Sequence, residues 1–163
     1  MSSPAAPPAL AFAGVAQLFV VLHAVAALAL CGAATHHLVV AVGYLRGVFR
    51  TSLARIYGVV TLGCYLAVVG LGSLAYPSYR YFVRGLFFDH HRPWASNLFD
   101  IKENLAALGL PLVVGVFLLS RTLEPREEGA LVGPYVALVA GVAGVAWFAA
   151  LSGLTVALQR GVP

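Results

Sequence analysis

The sequence predicts an all-α protein, a polytopic integral membrane four-helix bundle with a long first helix. Three observations carry that prediction. The first 45 residues contain no Asp, Glu, Lys or Arg. Hydrophobic residues make up 61% of the 163-residue chain and charged residues only 10%, which would leave large apolar faces in water. Four apolar stretches are long enough to cross a bilayer, which takes roughly 20 residues.

The Pro/Ala-rich residues 1–8 read as a mobile tail, and residues 9–160 as a single transmembrane helical domain. The segment lacks the basic start of a secretory signal, and its apolar run continues past Gly32, Ala33 and Ala34, so it reads as a retained span. The first span covers residues 10–45. It exceeds one perpendicular crossing, but a break at Gly32 would leave a second piece too short to cross, which favours one long helix. The second span covers 56–76, the third 98–119 and the fourth 130–158, and an even number of spans puts both termini on one side. Arg46, Arg50 and Arg55 between the first two spans have no acid nearby, which places that loop in the cytoplasm of a bacterial plasma (inner) membrane and both termini outside. Arg80, Arg84 and Arg92 in the middle connection nearly cancel this bias. Residues 121–129 form a solvated polar turn.

Small residues let helices approach in lipid. Gly133, Ala137 and Gly141, with Ala140 and Gly144 in a parallel register, and Gly63 with Ala67, are therefore expected to form seams inside the bundle, or else a homo-oligomer interface. Pro111 should kink the third span by removing a backbone hydrogen bond.

The composition excludes some functions. The net charge of +4 comes with no basic tract or aromatic platform, so nucleic acid is not an expected partner; lipid is. Cys31 and Cys64 sit in apolar runs and read as small buried hydrophobes. H-E-x-x-H, glycine-rich phosphate loops, C-x-x-C and a Ser/His/Asp set are all absent, and no reaction can be named.

Two constellations hold the polar chemistry. On the first helix, His23 and His37 are 14 residues apart, about 40° from eclipsed and about 21 Å apart along the axis, so one metal cannot take both. Small residues along this stripe, Ala16, Ala27 and Ala34, leave room for a flat macrocycle. His23 or His37 is thus a candidate ligand of haem b, with the opposite imidazole supplied by a second copy in a two-fold dimer, or else with a single histidine holding a five-coordinate haem or sharing it with Tyr65. The competing expectation is that His23 bonds a carbonyl or Thr in the bundle, with His36 and His37 at the membrane interface.

The second constellation straddles the middle connection. Tyr76, Arg80 and Arg84 are spaced by four on one helical face; Asp100, Glu103 and Asn104 share another. Arg80 or Arg84 should neutralise Asp100 or Glu103 and seal the hairpin. The same arginines could grip an anionic headgroup or a haem propionate. Asp89, His90, His91 and Glu103 could bind a divalent metal, and Glu103 could relay protons to a quinone. The expected activity is accordingly the holding of a redox or amphiphilic cofactor, haem b first and quinone second. The alternatives are a non-catalytic subunit of a larger membrane complex and, third, a small oligomeric channel or transporter.

Overall fold

A computed structural model describes residues 10–160; the tail expected at 1–8 lies outside the described residues. A 3-10 turn at Ala13–Val15 leads into α1, Ala16–Leu45, which runs unbroken through Gly32. α1 ends in a glycine stop. Gly47 adopts φ 74°, a left-handed conformation open to glycine, while Val48 N–H reaches the Gly43 carbonyl at 2.9 Å and Gly47 N–H reaches that of Tyr44 at 3.1 Å. This reverses the chain within a few residues into α2, Thr51–Ser78.

The second helix departs from expectation. It does not end near Tyr76: Pro77 lies inside it, and the chain continues as a ten-residue π-helical segment, Tyr79–Phe88, and a last α-turn, Asp89–His91. The middle connection is therefore helix almost throughout. Reversal occurs at Arg92, whose backbone (φ −145°, ψ 66°) leaves the helical region that a following proline disfavours, and Pro93 occupies the first turn of the next helix, where its missing N–H costs nothing. α3 then spans Pro93–Thr122, passing through Pro111 without interruption, and α4 spans Gly129–Gln159.

All four helices are long and apolar enough to cross a membrane. The chain is a multi-pass membrane helical bundle. Each helix packs antiparallel against its sequence neighbour, and α4 closes the ring on α1. The interior is filled by Leu30, Tyr65, Val113, Val116, Tyr135, Val139 and Val142. One end of the bundle, here the lower, carries the Gly47 turn and the polar turn at 123–128, where Arg55 meets Glu124 at 3.2 Å in solvent. The upper end carries the π-helical segment, the Arg92 reversal, and a second apolar cluster of Val83, Phe88, Ala95, Phe99 and Val156.

The small-residue seams fall mostly elsewhere. Gly133, Ala137, Ala140 and Gly144 on α4, and Gly63 and Ala67 on α2, are exposed; Gly141 is half-buried, with Leu112 at ordinary contact distance. The close approaches use other glycines. A Cβ at Gly58 would collide with Ser120, and one at Gly109 would collide with the Tyr65 hydroxyl, so those two positions set how tightly α3 packs on α2.

Candidate functional site

The lower half holds a neutral polar core. His37 is 0% exposed, and its Nε2 lies 2.7 Å from the Tyr135 hydroxyl, itself fully buried. The Tyr57 ring stacks beside His37 at 6.3 Å, and Tyr44 stacks on Tyr135 at 5.9 Å. His37 Nδ1 and the Thr61 hydroxyl are buried without a hydrogen-bond partner among the described residues. His37 faces into the bundle: α1 turns it inward and α4 supplies its partner from 98 residues away. His36, one residue earlier, faces outward and meets the Tyr57 hydroxyl at 3.2 Å.

His23 is arranged differently. Half-buried, it lies against α2 over Gly72, where a Cβ would come within 3.1 Å of the ring, and its Nδ1 is 2.9 Å from the Val68 carbonyl. A carbonyl can only accept, so Nδ1 carries the proton. Nε2 is then a lone-pair donor, and among the described residues nothing bonds to it. Gly72 makes this placement possible, because any side chain there would push the imidazole away.

The upper end carries an ionic cluster built around Arg84. Arg84 forks onto Asp100 with bonds of 2.5 and 3.0 Å and lies 3.6 Å from Asp89, which also accepts from the Ser96 hydroxyl at 2.6 Å. The expected seal of the hairpin therefore exists as Arg84 with Asp100. Its members are partly solvated, with side chains 22% and 42% exposed. Arg80 makes no salt bridge among the described residues: it donates to the Tyr76 hydroxyl at 3.1 Å, interacts through space with Glu103 and is exposed. Tyr76 and Arg80 keep their four-residue step, whereas the wider i→i+5 winding beyond Tyr79 takes Arg84 out of that register and toward α3.

Glu103 has no ion pair among the described residues, although it stands half-buried one turn from Asp100. Lys102, absent from the spacing-based assignments, has no salt bridge among the described residues but interacts through space with the Glu103 carboxylate. Its ammonium sits 4.5 Å above the Phe99 ring, beside Gly153 of α4 and within electrostatic reach of His23. The signal that could have found Lys102 is its uniqueness: it is the one lysine in the chain and it lies inside an apolar span.

The metal grouping is not assembled. His91 donates from Nδ1 to the Phe87 carbonyl at 3.1 Å and stacks on the Phe87 ring, while His90 is exposed. Among the described residues no three His, Cys, Asp or Glu side chains come together as a metal site. Nor does the fold bring His23 and His37 together, since one faces α2 in the upper half and the other α4 in the lower. Comparison with known proteins finds no matching family, no matching curated protein and no matching solved structure.

Proposed function

We propose that this chain holds a redox or amphiphilic cofactor in a bacterial plasma membrane, with b-type haem as the first candidate and quinone as the second. The observation that supports it is the state of His23. An imidazole whose Nδ1–H is fixed by a backbone carbonyl, with Nε2 unoccupied, is the arrangement by which proteins orient and tune an axial metal ligand. When bound through such a ligand, haem supplies one-electron transfer.

The neighbouring residues refine the earlier assignments. His37 spends Nε2 on Tyr135, so His23 is the stronger ligand candidate. Arg84 is already engaged by Asp100, and Arg80 lies eight residues beyond Gly72, about 12 Å along an ideal helix; Lys102 is the cation within reach of His23 and the better partner for a propionate. The bundle interior between the two histidines is filled by Tyr65, whose hydroxyl donates to the Ala106 carbonyl at 2.6 Å. A macrocycle would therefore sit at the edge of the bundle, where a second copy can supply the opposite imidazole.

Protein expressed with adequate haem should show a Soret band that His23→Ala abolishes and His37→Ala leaves in place. A preparation that stays colourless on haem titration would sink the reading. The filled interior favours, as the second reading, a non-catalytic subunit of a larger membrane complex, and a colourless preparation would leave that reading ahead. Orientation is tested separately. In a Cys31/Cys64-free background, cysteines at Thr51 and His90 should label from opposite sides of the membrane, Thr51 from the cytoplasm; labelling of both from one side would end the four-span topology.

A further inference from the structure

The π-helical segment makes a groove that the cofactor reading does not use. Arg80, Tyr81, Gly85 and Leu86 of the π-helical segment, with Pro77 below and Leu10 across, line an open depression of about 560 Å³ on the outer surface of the upper end. Its position follows from local structure. Pro77 removes one backbone donor, and the wider winding beyond it turns residues 80, 81, 85 and 86 onto one face. Gly85 keeps the floor open. A Cβ there would meet the Arg80 carbonyl at 3.2 Å and project into the space.

The lining is apolar except at one edge. Arg80 has no carboxylate partner among the described residues; its contact is the Tyr76 hydroxyl, which leaves most of its five N–H donors unused. The Tyr81 hydroxyl has no hydrogen bond to the described residues either, since that ring's recorded contact is the edge-to-face packing on Phe82. A guanidinium with no salt bridge among the described residues, balanced through space by the Glu103 carboxylate, stands beside the phenol at the mouth of an apolar groove near the end of a span. The matching chemistry is a phosphate monoanion carrying acyl chains.

We infer that this groove binds one anionic phospholipid, its phosphate held by Arg80 and Tyr81 and an acyl chain lying against Pro77 and Leu86. The site is independent of the cofactor reading, because His23 lines no part of it. Arg84 does not contribute, being forked onto Asp100 on the other side of the helix.

The test is native mass spectrometry of the full chain, purified in detergent and mixed with equal amounts of phosphatidylglycerol and phosphatidylcholine of matched acyl chains. The wild type should retain phosphatidylglycerol over phosphatidylcholine by about fivefold, the electrostatic worth of one arginine at a lipid surface. Arg80→Gln should abolish that preference. Gly85→Leu, which fills the groove and keeps the charge, should lower retention of both lipids; Arg121→Gln, at the lower end, should retain the wild-type preference. Equal retention of the two lipids by the wild type would overturn the inference, as would an unaltered preference in folded Arg80→Gln or unaltered retention in folded Gly85→Leu. Folding of each variant is checked by its helical circular dichroism.

Discussion

The polar core of the lower half and the ionic cluster of the upper end handle polar groups in opposite ways. The lower half buries neutral groups completely. His37 and Tyr135 satisfy one another at 2.7 Å, with Tyr44 and Tyr57 stacked around them and no formal charge involved. The upper half carries Arg84, Asp100, Asp89, Lys102 and Glu103, and each is left partly open or exposed. Burying a neutral hydroxyl against an imidazole costs little once the bond is made, whereas an ion buried away from water costs several kcal/mol even when paired. Charge therefore stays in partly open positions, the Arg84 cluster toward the upper end and Arg55 with Glu124 at the lower. Between the halves, Tyr65 bonds to the Ala106 carbonyl across a contact that only a glycine at 109 permits.

That divide can be broken most severely at its boundary. Gly109→Ala puts a methyl group into the Tyr65 hydroxyl, so the ring must swing out and give up its bond to Ala106. Overpacking of this kind costs typically 1–3 kcal/mol and the lost bond adds about 1, so the variant should lose about 3 kcal/mol. Thermal unfolding in detergent measures it. The double variant Gly109→Ala, Tyr65→Phe should recover part of the loss, and no recovery would mean that something other than the hydroxyl fixes the spacing.

The ionic half is probed next by Arg84→Gln. This leaves Asp100 and Asp89 facing each other without a cation. A fully buried pair broken from one side costs about 3–5 kcal/mol and an exposed one about 0–1; these partly solvated groups should fall between, at about 2 kcal/mol. Salt sharpens the comparison. Raising ionic strength should lower wild-type stability slightly through this cluster, whereas the Arg84→Gln variant should be slightly stabilised, because what remains to be screened there is the repulsion between Asp100 and Asp89. A loss that tracks salt equally in both proteins would place the relevant charges elsewhere.

Tyr135→Phe addresses the neutral half. It removes the hydroxyl that meets His37 Nε2 and leaves an imidazole 0% exposed with no partner recorded on either nitrogen. A lost hydrogen bond inside a membrane protein costs about 1 kcal/mol, less than in water-soluble cores because the unfolded chain in lipid also finds partners. The loss should be independent of salt, the reverse of the Arg84 variant. Haem content, if the protein takes it up, should be unchanged, since His23 lies in the other half.

How far this division was legible in the sequence depended on range. Composition revealed the spans, because the requirement for about 20 apolar residues acts on each helix alone. Asp100 and an arginine at 80 or 84 were placed together by spacing across a short connection, and the structure selects Arg84. The π-helical segment was not legible. Pro77 and Gly85 have the composition of a turn, and only the packing of Val83 and Phe88 against Phe99 and Val156 shows that the chain stays helical to His91. The partner of His37 was equally hidden, since a bond between residues 37 and 135 depends on how α1 and α4 rotate against each other. The α4 glycines misled for a related reason: a small-residue stripe marks a face suited to close approach without saying whether the approaching helix belongs to the same chain.

The smallest effect is expected at Glu103, and it isolates pairing from charge. Glu103 and Asp100 sit one turn apart on α3, yet Asp100 receives both arms of the Arg84 guanidinium while Glu103 has no ion pair or hydrogen bond among the described residues. If the upper half is held by specific ion pairs, Asp100→Asn should cost nearly as much as Arg84→Gln, and Glu103→Gln should stay within about 0.5 kcal/mol, the range of substitutions that break no defined interaction. If net charge alone matters, the two acid variants should be equal, since each removes one negative charge from the same helix face. Melting temperatures of the two in one detergent decide between these outcomes. A Glu103→Gln loss as large as that of Asp100→Asn would replace the Arg84 fork with a diffuse field as the force closing this hairpin.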